Sequence, residues 1–316
     1  MLDGSWGFVT GNDKNSGGYP TPGWRSLTAG SEDFHLLSRT GRFNPATQGF
    51  DVDATDAEGL DTGRPADAYS FETPLNGGRI NQGSYGNTVE ASRSRSYGCV
   101  TQRMVSRDAG PYRTVDDAVS SIWPDLVGHT CVIFQDGATY PEQVTIQNFT
   151  NNGSSITIMA DPFLGQRPAV SPPAASTAAF LVMNASVNVQ GLMIAPGSDI
   201  AYGVYSSSAH VSVTSVTITT GTASFRIWAA GMLLSSWNSV SYSSVSIGNA
   251  HGFQLPSGSS ASVISYSTAV VASPSGWALY LLGSSSNTVT GGYFYNREGD
   301  GVFLDASSEN NLITLS

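Results

Sequence analysis

The sequence predicts an all-β protein, most of which is a parallel β-solenoid with coils of about 24 residues. Three observations predict this class. Charged residues make up only 12% of the 316 residues, about half of the ~25% usual in globular domains. Apolar residues alternate with serine, threonine and asparagine over much of the chain, and short glycine-led segments recur at similar intervals.

Composition excludes several classes of function before any element is assigned. The net charge is -10, with 14 basic against 24 acidic residues. Binding to a phosphate backbone needs clustered Lys and Arg, so we expect no nucleic-acid partner. No apolar run approaches the ~18 residues of a membrane-spanning helix, so we expect no membrane span.

The first segment, residues 1–98, contains the stretches Asp33-Phe34-His35-Leu36 and Arg79-Ile80-Asn81-Gln82-Gly83-Ser84-Tyr85-Gly86. They resemble the segment that closes β-helix domains in large secreted bacterial surface proteins. There, an Asp-Phe-His-Leu strand and an Arg-Ile-Asn-x-Gly-Ala-Tyr-Gly strand follow the last coil; Ser84 replaces the alanine. The resemblance implies that 1–98 is an irregular, partly β segment that closes a preceding module, and that a second domain, 99–316, follows it.

The best helix candidate extends from Thr114 to Trp123. Thr114 suits the N-cap, and Val115, Val119, Ile122 and Trp123 fall on one helical stripe. A strand is predicted from Thr130 to Gln135, followed by a turn at Asp136-Gly137.

The stretches Tyr112–Val119 and Gly137–Ile146 resemble the right-handed parallel β-helix superfamily of pectate lyases, pectin esterases and their non-enzymatic relatives. In that superfamily a helix of the form Tyr-x-Thr-Val-x-x-Ala-Val caps the first coil, and Gly-x-x-Tyr-x-Glu-x-Val-x-Ile opens the solenoid. The resemblance covers residues 112–316. It implies right-handed coils and an N-terminal capping helix, but no particular activity.

The remaining strands follow from alternation and repetition. Period-two alternation indicates half-buried strands at Val187-Asn188-Val189, Val211-Ser212-Val213, Val216–Thr219 and Val240–Ser243. The recurring triplets are Gly203-Val204-Tyr205, Gly231-Met232-Leu233, Gly252-Phe253-Gln254, Gly276-Trp277-Ala278 and Gly301-Val302-Phe303. Units this short cannot bury a core alone, so they must stack.

The sequence stops within an apparent coil, at Ile313–Ser316. We therefore expect a solenoid domain truncated at its C-terminal end, within a longer multi-module protein. An uncovered coil exposes unpaired strand edges. We expect the segment from Asp33 to Ala91 to cover it, from the same chain or from a neighbouring copy in head-to-tail self-association.

The candidate catalytic residues are Asp300, Asp305 and Arg297. The two carboxylates would act as acid and base, as in glycoside hydrolysis, or would bind calcium; the alternative is an ordinary solvated turn. The catalytic segments of pectin esterases and lyases are not matched, because between Val170 and Asn296 the charged residues are Asp199 and Arg226 alone.

A candidate calcium site is formed by Asp51, Asp53 and Asp56, which would make calcium the only cofactor. An EF-hand loop fails here, because Asp56 stands where glycine is needed and Thr62 where glutamate is needed. A looser calcium loop and an acidic surface loop remain as alternatives.

The candidate sugar-binding residues are Trp237, Trp277, Tyr280 and Tyr295. Aromatic rings on a solenoid face would stack on sugars; the alternative is inward packing. Stacked coils would bring His210 near His251, unless both are ordinary turn histidines.

Cys99 and Cys131 flank the predicted helix, and they form either a disulfide or two buried free thiols. Taken together, the observations predict an extracellular or cell-surface module with a structural or adhesive role, whose partner is a polysaccharide or another surface glycan. The alternative is a polysaccharide hydrolase or lyase that uses Asp300, Asp305 and Arg297.

Overall fold

The computed structural model describes residues 23–26, 28–57, 59–61, 63–64, 67–73, 76–77, 80–94, 97–107, 111–162, 164–221 and 227–315. The chain divides into two compact units: Met1–Met104 with Asp108–Arg113, and Val105–Arg107 with Thr114–Ser316. Among the described residues, no helix is long and apolar enough to span a membrane.

The second unit is an all-β parallel solenoid of about eight turns, which confirms the predicted fold class. Each complete coil contributes one strand to each of three faces. The first face contains β6 (Thr130–Phe134), β9 (Ile156–Ala160), β12 (Ser186–Gln190), β15 (His210–Thr214), β18 (Ser239–Ser241), β21 (Val263–Ser265), the start of β24 (Thr288–Asn296) and β26 (Leu312–Leu315).

The other two faces have seven strands each. The second face contains β7 (Thr139–Tyr140), β10 (Ala169–Val170), β13 (Met193–Ile194), β16 (Thr217–Thr219), β19 (Ser244–Ile247), β22 (Thr268–Val271) and the end of β24. The third face contains β8 (Val144–Gln147), β11 (Ala178–Met183), β14 (Ile200–Ser207), β17 (Ile227–Leu233), β20 (His251–Leu255), β23 (Leu279–Leu281) and β25 (Val302–Leu304).

The register explains the predicted repeat length. Val187 lies opposite Val211, and Val240 lies opposite Ile264, so each register partner follows one predicted repeat later in the chain. Inward residues such as Val187 and Val213 are fully buried, and the intervening serine or asparagine faces outward. The alternation is therefore the signature of stacked coils that share one apolar interior.

Small residues form a column on the third face. Gly203, Gly231 and Gly252 lie in neighbouring strands. A Cβ on Gly252 would lie 2.6 Å from Ala269 Cβ on the second face and 2.4 Å from the oxygen of Ala278. The register places Ala278, not Gly276, next in this column. The sequence pattern places Gly276 in the same repeat position as these glycines, and that prediction is wrong. The column needs only a small residue where the third face comes closest to the second, and Ala278 is small enough.

Two corners of the coil use a residue with positive φ. The first-to-second corner, between the first and second faces, contains Gly191, Ser215, Tyr242, Tyr266 and Gly291, with φ of 70°, 56°, 49°, 46° and 59°. The third-to-first corner contains Asn184, Ser208, Trp237, Ala261, Ser286 and Asn310, with φ between 48° and 63°. The predicted strand Val240–Ser243 therefore ends at Ser241, where Tyr242 turns the chain.

A polar ladder of Asn238, Ser262, Asn287 and Asn311 lies behind the third-to-first corner, and its first three members are buried. The backbone N–H of Asn238 donates to Ser262 Oγ at 3.1 Å, and that of Ser262 donates to Asn287 Oδ1 at 2.9 Å. The backbone N–H of Asn287 in turn donates to Asn311 Oδ1 at 3.0 Å. The ladder satisfies backbone donors that the turns leave without strand partners.

The predicted helix is present but shorter, as α1 (Val115–Ser120). Thr114 is its N-cap and accepts the N–H of Asp117 at 3.1 Å, as expected. Trp123 is 75% exposed and not on the buried stripe, because it precedes Pro124 and a residue before proline disfavours the helical region. That α1 caps the first coil stays a prediction.

The opening segment is held by two carboxylates. Glu142 accepts the N–H groups of Val115 and Asp116, both at 2.9 Å, at the start of α1. Asp136 accepts the Tyr140 hydroxyl at 2.7 Å and the backbone N–H of Arg107 at 2.7 Å. The tyrosine and glutamate of the opening stretch therefore have structural roles in this chain.

The first unit contains two small antiparallel pairs. β1 (Trp24–Ser26) pairs with β2 (Asp33–Leu36), and β3 (Arg42–Asn44) pairs with β4 (Gly49–Asp51); β5 (Thr101–Val105) spans the point where the two units divide. The predicted Asp33–Leu36 strand is confirmed. The other predicted strand, Arg79–Gly86, is wrong for the residues that the structure describes. Residues 80–86 contain no strand, and Asn81 hydrogen-bonds to Glu72 and Ser92. Arg79 lies outside the described residues.

Both cysteines are disulfide-bonded, and neither is free. Cys131 is fully buried in β6. The sequence left two alternatives for Cys99 and Cys131, a disulfide or two buried free thiols, and the structure contains the disulfide.

Candidate functional site

One row of outward side chains runs along the third face through every coil. Each member is the register partner of the next and is partly exposed, and every member before the last lies between buried neighbours. The members are Thr145, Leu181, Tyr205, Leu233, Gln254, Tyr280 and Phe303. Strands in a sheet lie ~4.8 Å apart, so these seven positions span about 29 Å along the solenoid. This third-face row contains no charged residue.

An aromatic cluster of His251, Trp277, Tyr280 and Phe303 occupies one end of the row. The rings of Trp277 and Phe303 are stacked, with centroids 4.5 Å apart, and those of Trp277 and Tyr280 lie 4.7 Å apart. His251 stacks on Trp277 at 5.2 Å with an interplanar angle of 2°. All four rings are partly exposed, so the cluster is an aromatic surface rather than part of the core.

Local structure positions these rings. Tyr280 is the middle residue of β23 and faces outward, because its neighbours Leu279 and Leu281 are fully buried. His251 begins β20, and its Nδ1 accepts the backbone N–H of Trp277 at 3.2 Å. That contact places the imidazole proton on Nε2, and burial lowers the pKa of His251. The cluster is therefore electrically neutral at physiological pH.

The structure brings together two of the four predicted sugar-binding residues. Trp277 and Tyr280 are in the aromatic cluster, whereas Tyr295 lies on the second face beside Tyr293, with ring centroids 6.3 Å apart. Trp237 lies at the third-to-first corner and is 66% exposed. None of the four packs inward, so that alternative is wrong.

Sequence reasoning missed the part played by Phe303, Tyr205 and Leu181. The signal was in the repeated triplets, because the third residue of Gly203-Val204-Tyr205 and of Gly301-Val302-Phe303 is the outward one. Correcting the register from Gly276 to Ala278 places Tyr280 at the same third position.

The structure places the predicted catalytic residues on both sides of β25. Asp300 precedes the strand and Asp305 follows it. Asp305 accepts the N–H of Gly283 at 2.8 Å and the Ser308 hydroxyl at 2.7 Å, and these hydrogen bonds lower its pKa. Asp300 and Arg297 are exposed.

The predicted calcium ligands have other partners. Arg42 pairs with Asp53 at 3.1 Å and with Asp51 at 3.6 Å, while Asp56 accepts the N–H of Arg39 at 2.7 Å. Among the residues that the structure describes, no three acidic, histidine or cysteine side chains are placed to hold a metal ion. His210 lies on the first face and His251 on the third, so stacking does not bring them together.

Searches of family models, curated proteins and solved structures find nothing that matches this sequence.

Proposed function

We propose that this chain is an extracellular β-helix module that binds glycans along the third-face row, as a distant relative of the right-handed parallel β-helix superfamily. The observation that carries the proposal is the uncharged, partly exposed row that ends in the aromatic cluster. Sugar rings present apolar C–H faces, which stack on aromatic rings, and their hydroxyls hydrogen-bond to amide and hydroxyl side chains. The row offers both kinds of group over about 29 Å.

The shape of the row favours an extended ligand. The rings of Trp277, Tyr280 and Phe303 lie within 5.7 Å of each other, and Gln254 is the register partner of Tyr280 in the next strand. A polysaccharide lying along the solenoid axis would contact one row position for each coil. A single sugar would contact only the cluster.

An oxidising compartment is supported by the cysteines. Both Cys99 and Cys131 are disulfide-bonded, and disulfides persist in secreted and surface proteins and are rare in reducing cytosol. This agrees with the surface role that the resemblance implies.

The enzymatic alternative has less support. Asp305 is engaged by the Gly283 N–H and by Ser307 and Ser308, and Asp300 lies at the other end of β25.

Binding to a panel of neutral and acidic polysaccharides, measured by affinity electrophoresis and calorimetry, tests the proposal. For a ligand of the row, Trp277→Ala should weaken binding roughly tenfold, which corresponds to about 1.4 kcal/mol. Tyr295→Ala is the matched control, because it removes an exposed ring from the second face. Equal binding by wild type and Trp277→Ala for every ligand, or an equal loss in Tyr295→Ala, would contradict the proposal.

A further inference from the structure

A groove of about 310 Å³ lies at the first-to-second corner of the solenoid, away from the third-face row. One wall is lined by residues between β9 and β10, namely Asp161, Pro162, Leu164, Gln166 and Arg167. Gln190, Gly191, Thr214 and Ser215 line it from the next two coils. Its volume is at the lower end of the ~300–1,000 Å³ of small-molecule sites.

The floor of the groove is open because the corner residues there are small. Gly191 and Ser215 occupy the same corner position in successive coils. In the next two coils that position holds Tyr242 and Tyr266, whose rings are stacked at 5.3 Å with an interplanar angle of 10°. Gly291 follows, and a Cβ there would lie 2.9 Å from the Tyr266 ring. The corner therefore presents a groove followed by a two-ring platform.

The fold alone does not account for these tyrosines. Tyr242 and Tyr266 have φ of 49° and 46°, a region that costs an L-residue free energy and that glycine, asparagine and aspartate tolerate best. Their rings are 65% and 61% exposed, so little core packing compensates. A strained backbone that displays exposed, stacked rings points to a ligand.

The groove wall supplies charge. Arg167 Nη1 donates to Thr217 Oγ1 at 3.2 Å, which fixes the guanidinium at the rim. The guanidinium has five N–H donors in total, and in the described part of the chain no carboxylate lies within ion-pair distance of it. Guanidinium groups bind carboxylate and sulfate groups through paired hydrogen bonds. The amides of Gln166 and Gln190, which also line the groove, are suited to sugar hydroxyls.

We propose that this corner groove binds one anionic sugar residue of a glycan, with its acidic group on Arg167 and the adjoining sugar ring on the Tyr242–Tyr266 stack. The site is separate from the third-face row and does not depend on it. It selects for charge, whereas the neutral row does not.

The test uses the full chain and three forms of one oligosaccharide: a hyaluronan hexasaccharide, its carboxyl-reduced neutral derivative and its O-sulfated derivative. Titration calorimetry at low and at physiological ionic strength gives the affinities. We expect hyaluronan to bind more tightly than its neutral derivative, with a preference that falls as salt rises. The sulfated derivative shows whether added sulfate strengthens binding to the same guanidinium.

Three variants locate the binding. Arg167→Gln should weaken hyaluronan binding roughly tenfold or more and remove the preference over the neutral derivative. Tyr242→Gly should weaken all three probes without lowering the melting temperature, because glycine suits the positive φ. Arg297→Gln, which removes an exposed arginine elsewhere, should bind like wild type.

Three results would overturn the proposal. The first is equal affinity of wild type for hyaluronan and its neutral derivative, and the second is no binding of any probe. The third is unchanged hyaluronan binding in Arg167→Gln. Loss in Trp277→Ala but not in Arg167→Gln would place binding on the third-face row alone, which keeps the two proposals distinguishable.

Discussion

Replacing Asn238 by alanine tests whether the polar ladder, as well as apolar packing, stabilises the solenoid. Asn238 is 1% exposed. Its Oδ1 accepts the N–H of Val211, and its Nδ2 donates to Ser206 Oγ at 2.9 Å and to the oxygen of Ser235 at 2.8 Å. Alanine cannot replace any of these contacts.

The expected cost follows from what each partner loses. The Val211 N–H would be buried without an acceptor, which costs about 1–3 kcal/mol. The Ser235 oxygen keeps the Ser262 hydroxyl, at 2.9 Å, so the lost Nδ2 contacts add only about 1 kcal/mol. We therefore expect Asn238→Ala to lower the free energy of unfolding by about 3 kcal/mol. Asn238→Ser should cost about half as much, because Ser262 occupies the same ladder position in the next coil.

Urea unfolding followed by far-ultraviolet circular dichroism measures the change in the free energy of unfolding. The comparison is valid if the dependence of that free energy on urea concentration stays constant while the unfolding midpoint moves. Asn188→Ala is the matched control. Asn188 lies outward on the first face and donates to Ser155 Oγ and Thr157 Oγ1, which remain accessible to water. If Asn238→Ala costs no more than Asn188→Ala, buried hydrogen bonding at the corner is not what stabilises the stack.

Three further predictions concern other positions. Gly252→Ala should lower the free energy of unfolding by about 3 kcal/mol through overpacking. The control is Gly248→Ala, whose added Cβ meets nothing within 4 Å and should leave the free energy of unfolding almost unchanged. Similar unfolding midpoints for the two variants would refute the close approach at Gly252. Burial acts to raise the pKa of Asp136, but hydrogen bonds from Tyr140, Ser106 and two backbone N–H groups outweigh it, and the pKa is lowered. The Asp136 carboxylate therefore stabilises the fold above the unfolded pKa of ~3.9, and this contribution is lost as pH falls through the lower folded value. Asp136→Asn should be less stable than wild type at pH 7, and the difference in free energy of unfolding between the two should shrink below about pH 4. A difference that does not change with pH would argue against this. Thiol titration of unfolded, unreduced protein should find no reactive thiol, and two would exclude the disulfide.

The sequence was sufficient to predict the solenoid because the cause of the fold is local and repeated. Inward Val187 and Val211 alternate with outward polar residues, and the spacing between these two valines is the length of one coil. The same logic could have located the third-face row from the repeated triplets. It went wrong at Gly276, because a glycine was matched by identity where the structure requires only a small residue.

The candidate sites were harder to predict because they combine residues by corner position rather than by spacing. Asp300 and Asp305 are close in sequence, yet β25 separates them. Arg167 and Tyr242 are distant in sequence, yet both lie at the first-to-second corner. Whether a residue turns a corner or lies in a strand depends on its backbone dihedrals, and a tyrosine with positive φ departs from the usual preference.

The hydroxyl-rich outer surface also determines how the protein meets proteases. Between Val170 and Asn296 the sequence contains Arg226 as its single basic residue and no lysine, so enzymes that cleave after lysine or arginine find one site in five coils. Strands such as β15 and β18 are paired on both sides, so their backbones cannot enter a protease cleft unless the coil first opens. A module with these coils would persist in a protease-rich setting without a dense network of disulfides.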